Sequence, residues 1–300
     1  RYLDFHYRSK HPYLIDFSNH AFYSKRLIPL PNRFEYNPFH FSQVNGVYKN
    51  NMNEDEADRV LWILEHQIQK NENGIYPSIG IATFNVSQRD LIKRKILDYQ
   101  KSGSSKIFKE KLLELDSQGM WVKNLVNIQG DEKDVIILST TYGVKPDGKF
   151  YQFFGPLNQK KGYKLLNVII TRAKYKVYVC TSVPETAYLN YKEELKEEGS
   201  NNRRAVFYSY LAYAKAVSEQ NIEAKDVVLK SLSDNYSSEF SLNDEDLMAD
   251  AHFEKAVYQS LSKALGEEKL TLGYRYAGFL VDVLYESDIE GVPKIAIECD

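Results

Sequence analysis

Short apolar runs rich in β-branched residues, separated by amphipathic stretches, constrain this chain more than any other feature. IGIATF (Ile79–Phe84) follows Pro77, VIILSTT spans Val135–Thr141, and Val177–Thr181 ends before a turn at Pro184. Trp121–Ile128 is a further candidate. Runs of this length and composition read as buried strands. The intervening stretches have helical period. Asn53 and Glu56 have capping-box spacing, and Ala57, Val60, Leu61, Leu64 and Ile68 follow on one face. Ser87 is placed to cap a second helix carrying Leu91, Ile92, Ile96 and Tyr99, with basic residues on its other side. Strands alternating with such helices predict an α/β fold: a mostly parallel sheet flanked by helices.

The 300 residues suit two domains better than one. Residues 1–50 are aromatic, are punctuated by Pro12, Pro29, Pro31 and Pro38, and suggest a helix over roughly 11–24. KPDGKFYQFFGPLNQKKGYK is an excursion between strands. Its aromatic residues Phe150, Tyr151, Phe153 and Phe154 are suited to contact a nucleic-acid strand or a partner domain. Val206–Val217 reads as a helix, and residues 231–251 hold six acidic and no basic residues, as a linker would. Beyond it, Phe253, Val257, Leu261 and Leu265 step by four along a helix, and Phe279–Leu284 and Lys294–Cys299 read as strands.

With 43% hydrophobic and 27% charged residues the chain is not intrinsically disordered. Its 39 basic and 41 acidic residues exclude bulk attraction to polyanions, so any such site is a local patch. Two cysteines, Cys180 and Cys299, make no disulfide framework, which suits a cytoplasmic location. No apolar run approaches the ~20 residues of a membrane span. The first residue is Arg1 and the last, Asp300, falls in a predicted strand, so both ends read as cut from a longer chain.

Four segments carry candidate chemistry: YRS at 7–9 with His11, Pro12 and FSNHAFY; Thr83, Phe84 and Asn85 with Gln88; Gln129, Gly130, Asp131 and Glu132 before VIILST; and LNVIITRAK at 166–174. Phosphate cleavage needs fixed positive charge where charge builds on the γ-phosphate. Arginine stays protonated and donates in a bidentate manner, so Arg8 and Arg172 are candidates. Gly130 permits a tight turn, and Glu132 can accept from a ribose hydroxyl. Each segment alone is ordinary: a surface arginine, a turn.

Taken in order, the four resemble motif IV, a strand-contacting segment, motif V and motif VI of the second RecA-like domain of superfamily 1 helicases, in the 1B branch that includes the nonsense-mediated-decay helicase. The resemblance covers about residues 1–185. It implies that Arg8 and Arg172 contact the γ-phosphate of ATP in a cleft between two RecA-like domains. It further implies that Gln129, Gly130 and Glu132 couple nucleotide to strand, with Gly130 and Glu132 on the ATP side. Thr83, Phe84, Asn85 and Gln88 are then expected to face single-stranded DNA or RNA. The β-branched VIIT at 168–171 has local strand propensity, whereas the family places a short helix there, and the helix is expected because tertiary context overrides propensity. No G-x-x-x-x-G-K-[ST] loop occurs, so the phosphate-gripping lysine and the Mg²⁺ carboxylates are expected on a first RecA-like domain upstream in the same chain, and this fragment alone is expected not to hydrolyse ATP.

Residues 186–249 are expected to be a helical and acidic linker, and 250–300 a partial nuclease-like domain. Glu254, Asp282, Glu298 and Asp300 resemble the acidic set of the PD-(D/E)XK fold, in the subgroup related to very-short-patch repair endonucleases, which implies Mg²⁺ and phosphodiester cleavage. Asp300 stands where that pattern has lysine. Such an architecture suits restriction, phage defence or DNA repair. Two other readings stay open: a metal-dependent nuclease with a non-motor RecA-like scaffold, or a non-enzymatic nucleic-acid-binding module using the basic helix at 89–101.

Overall fold

The computed structural model describes residues 5–6, 8–29, 36–102, 105–128, 132–160, 162–236, 256–276, 279–289 and 293–297. In chain order its elements are β1 (Phe5–His6), α1 (Tyr13–Phe22), β2 (Ile28–Pro29), β3 (Phe39–Gln43), α2 (Glu54–His66), β4 (Ile79–Thr83), α3 (Val86–Ser102), α4 (Lys106–Ser117) and β5 (Trp121–Asn124). They continue with β6 (Lys133–Gly143), α5 (Gly162–Ile170), β7 (Ala173–Ser182), α6 (Glu185–Tyr188), α7 (Tyr191–Glu198), α8 (Arg204–Ser218), α9 (Ile222–Asp234), β8 (Leu270–Tyr276), β9 (Phe279–Tyr285) and β10 (Ile295–Ile297). Two units separate: Tyr7–Lys25 with Pro29–Ser237, and Arg1–His6 with Arg26–Ile28 and Ser238–Asp300.

In the larger unit the apolar runs form a five-stranded sheet, ordered β3-β7-β6-β4-β5, in which every neighbouring pair is parallel. Parallel neighbours need a crossover, and α2, α3 with α4, and α5 supply them. The fold is α/β and RecA-like. Alternation along each strand divides the core in two. Val135 and Ile137 of β6, with Tyr178 and Cys180 of β7, pack under α2, α3 and α4 beside Leu64, Ile92 and Leu112. Ile136, Leu138, Val177 and Val179 face the other way, toward Leu14, Phe17, Leu166, Phe207 and Tyr213. Fully burying each large side chain contributes about 1.5–3 kcal/mol. Gly80 of β4 lets the sheet close, because a Cβ there would lie 2.5 Å from the Trp121 ring and 2.8 Å from Ile136 Cδ1.

Several expectations are corrected. Residues 186–236 are not a linker. Helices α6 to α9 belong to the larger unit, and α8 is buried on nearly every side. Its rings explain this: Phe17 meets Tyr210 edge-on at 5.2 Å, Phe84 meets Phe207 at 4.9 Å, and the Tyr213 hydroxyl donates to Tyr13 O at 2.7 Å. Ser87 does not cap α3. Asn85 does, its Oδ1 accepting from Gln88 N at 2.8 Å. The Trp121–Ile128 run leaves strand at Asn124 and enters a 3-10 turn, Leu125–Asn127. VII at 168–170, by contrast, is helical within α5 as expected, because Leu166, Ile169 and Ile170 have a core to bury into.

In the smaller unit a helical run, 256–265, precedes an antiparallel sheet ordered β10-β9-β8. The sequence reading missed β8. Leu270, Val283 and Leu284 are buried.

Candidate functional site

Two ends of the parallel sheet carry the candidate chemistry, separated by roughly 35 Å along the 11-residue β6.

At the amino end, β6 and β7 begin side by side, with Lys133 N donating to Arg172 O at 3.1 Å. The segment before α1 lies against the same place: Lys10 N donates to Lys174 O at 2.7 Å, and Ser9 Oγ donates to Ala173 O at 3.4 Å. These bonds bring together residues 164 positions apart. Arg8 Nε donates to Glu132, both side chains being about a quarter to a third exposed, and Lys174 Nζ lies 4.0 Å from the other Glu132 oxygen. Arg172 Nε donates to Val168 O at 2.8 Å, which folds its stem onto the end of α5. Arg8 and Lys174 thus share one carboxylate, and the backbone bonds bring Lys10, Lys133 and Arg172 to the same edge, with Lys133 Nζ itself donating to Gly119 O at 2.7 Å. Such a surplus of donors suits a polyanion such as a triphosphate, with Glu132 fixing the plane of one guanidinium.

At the carboxyl end, a buried polar network ties β4, β6 and β7 to the start of α2. Asn53 Oδ1 accepts from Glu56 N, the expected half of a capping box. The reciprocal half is replaced: Asn53 N donates to Gln88 Oε1 at 2.8 Å, and Gln88 Nε2 donates to Asn53 O and Ser139 Oγ. Glu56 is fully buried and turns inward. Its carboxylate accepts from Ser139 Oγ at 2.7 Å, Thr141 N at 2.7 Å and Thr140 Oγ1 at 3.4 Å. Burial pushes its pKa up to about 7 against the pull of these donors. Thr141 adopts φ +72°, a left-handed conformation rare for a β-branched residue. Its peptide is clamped by Glu56 on the N–H and by Asn53 Nδ2, which donates to its carbonyl at 3.2 Å. The register of β6 against β7 shifts between Ser139 and Gly143, so β6 ends in an irregularity.

Beyond that irregularity lies an open groove of 460 Å³, lined by Tyr48, Asn85, Tyr142, Lys145, Tyr151 and Phe153, among others. The excursion expected between strands supplies Lys145, Tyr151 and Phe153 as a loop, not a hairpin of strands. Lys145 Nζ sits 4.4 Å over the Tyr151 ring, and the Tyr151 hydroxyl donates to Asp147 at 2.9 Å.

The expected strand-contacting side chains divide here. Thr83 and Gln88 are wholly buried and bonded internally, and Phe84 packs mainly on Phe207 and Tyr142 with only its edge at the groove. The Asn53 network turns Gln88 inward and Thr83 is bonded to Asn85 O, whereas Phe84 keeps a place in the groove lining. Asn85, also named in that set, does line the groove. Gln129, Gly130, Glu254, Glu298 and Asp300 lie outside the described residues. Asp282 lies on β9, in the register between Val281, opposite Tyr274, and Val283, opposite Leu272. Among the described residues no cluster of metal-ligating side chains occurs, and no helix is long and apolar enough to cross a membrane. Sequence reasoning missed Lys174 and the Glu56–Thr141 clamp. TRAK itself contained the first signal, and nothing in the sequence marks φ at Thr141.

Residues 1–183 match the model of a family described as an AAA domain. A Mycoplasma genitalium protein named "Uncharacterized ATP-dependent helicase MG140" is 35% identical over 179 residues, which is 58% of this chain and 15% of that protein. Its homolog in Mycoplasma pneumoniae is 31% identical over 229 residues, 75% of this chain and 19% of that protein. The chain therefore spans less than a fifth of the length of these curated relatives.

Proposed function

The chain belongs to this AAA-domain family, and from that premise we propose that it is the second RecA-like domain of a superfamily 1 nucleic-acid helicase of the 1B branch. It supplies the arginine side of an ATP site. The observation that carries this reading is the gathering of Arg8, Glu132, Arg172 and Lys174 at the amino end of β6 and β7. The relatives' helicase names support it.

Arg8 and Arg172 stabilise charge on the γ-phosphate. Both remain protonated throughout, so their contribution is electrostatic and positional. Glu132 holds Arg8 in place and stands near the ribose, while Gln129 and Gly130 link this edge to the strand path. The donor set fits a triphosphate, with Glu132 the one carboxylate paired with it among the described residues, and Mg²⁺ and the β-phosphate grip fall to a first RecA-like domain elsewhere in the longer protein. The fragment alone does not turn over ATP. At the other end of the sheet, Asn85 contributes to the path of single-stranded DNA or RNA, with Thr83, Phe84 and Gln88 shaping that path from behind.

For the smaller unit, the pairing of β9 with β10 supports a nuclease-like start, since Val283 beside Asp282 is opposite Ile297 beside Glu298. Glu254, Asp282, Glu298 and Asp300 are its proposed Mg²⁺ set, and Mg²⁺-dependent nicking lost in Asp282→Asn is its test.

The helicase reading is tested by unwinding of a tailed duplex by the intact longer protein. Arg8→Ala is expected to abolish unwinding while leaving strand binding in place. Normal unwinding by that variant contradicts the assignment.

A further inference from the structure

We propose that the groove at the carboxyl ends of β4 and β6 holds one unstacked base of a single strand, with Phe153 as its stacking surface. This rests on the helicase reading above, shares Asn85 with it, and adds a specific mode of recognition at Phe153.

Phe153 is 70% exposed and Tyr151 is 46% exposed, beside a groove whose described lining contains Lys145 and no acidic residue. Large aromatic rings are normally buried, so two left at one concave site need a reason. The volume, 460 Å³, falls in the range of small-ligand sites, ~300–1,000 Å³. Tyr151 is already fixed, its hydroxyl on Asp147 and its face under Lys145. Phe153 presents the open face, and every base has a π-face to lay on it. Asn85 adds a polar signal. Its Oδ1 is committed to capping α3, while its Nδ2 is shielded from water and has no partner among the described residues. A base carbonyl drawn into the groove supplies the acceptor that this donor lacks.

A labelled oligothymidylate and an abasic strand of equal length separate base recognition from backbone attraction, with affinity of the 300-residue chain read by fluorescence anisotropy at fixed salt. Wild type is expected to bind oligothymidylate at least fivefold more tightly than the abasic strand. Phe153→Ala should erase that preference without changing abasic binding, and, because this ring is solvent-exposed, without unfolding the chain. Phe153→Trp should keep the preference and show quenched tryptophan emission on binding. Equal affinity of wild type for both strands, or a preference that survives Phe153→Ala, overturns the base site and leaves the helicase reading standing. Binding to neither strand also overturns the base site, and the helicase reading is decided separately by unwinding with the intact longer protein.

Discussion

Glu56 is a carboxyl group removed from water and given hydrogen bonds from Ser139, Thr140 and Thr141 in place of a counter-ion. Its folded pKa lies near 7 against an ordinary 4.5. Between those values the folded state holds a proton that the unfolded state has released, so stability falls as pH rises through that window. The accumulated effect from pH 5 to 8 is about 2–3 kcal/mol. Asp16, raised to about 6 by burial, adds a slope of the same sign at lower pH, and His11, His20 and His40, lowered by burial, oppose it. Glu56→Gln isolates the term: urea titrations should give a wild-type-minus-variant stability that declines from pH 5 to 8, and a pH-independent difference would remove the buried carboxyl from the account. Single residues were legible where a motif forces them. Arg8 and Arg172 stand in segments whose neighbours pair through backbone bonds, so their shared edge follows from sheet order. Gln88 was not legible, because whether an amide at a strand end meets solvent depends on Asn53, 35 positions away, lying over it.

Among the elements, β4 and α8 show opposite relations to the sequence. IGIATF is readable as a buried strand from its run of apolar residues, and Gly80 within it is explained only by its neighbours β5 and β6. Gly80→Ala forces a methyl into the Trp121 ring, and overpacking of this kind costs about 1–3 kcal/mol. A lowered urea midpoint with unchanged m-value checks it, and an unchanged midpoint contradicts the close packing. Helix α8 was legible as a helix but not as core. Its tyrosines suit a half-exposed face, and the rings of Phe17, Phe39 and Phe154 on those tyrosines, with Phe84 on Phe207, make the helix internal. A chain ending at residue 185 should therefore expose the apolar face covered by α8 and α9 and bind a hydrophobic dye, whereas one ending at 236 should unfold cooperatively. Cooperative unfolding of the shorter chain would restore the linker reading.

For the whole molecule, the parallel sheet acts as a spacer. Cationic groups collect where β6 and β7 begin, and an aromatic groove opens roughly 35 Å away where β6 ends. On the proposed helicase reading, nucleotide is read at one end of the sheet and the single strand at the other. Strand order makes the arrangement; a mostly parallel sheet was predictable from alternating runs and helices, while the groove was legible only in its aromatic excursion, because its walls come from segments far apart in sequence. The most direct measurement is nucleic-acid-stimulated ATP turnover by the intact longer protein carrying Arg172→Ala, beside Arg203→Ala as an exposed control in the same chain. Loss of an arginine aimed at the γ-phosphate lowers turnover by about 10³-fold or more. The account predicts that loss for Arg172→Ala with ATP still bound and Arg203→Ala unaffected. Equal turnover by the two variants would contradict it.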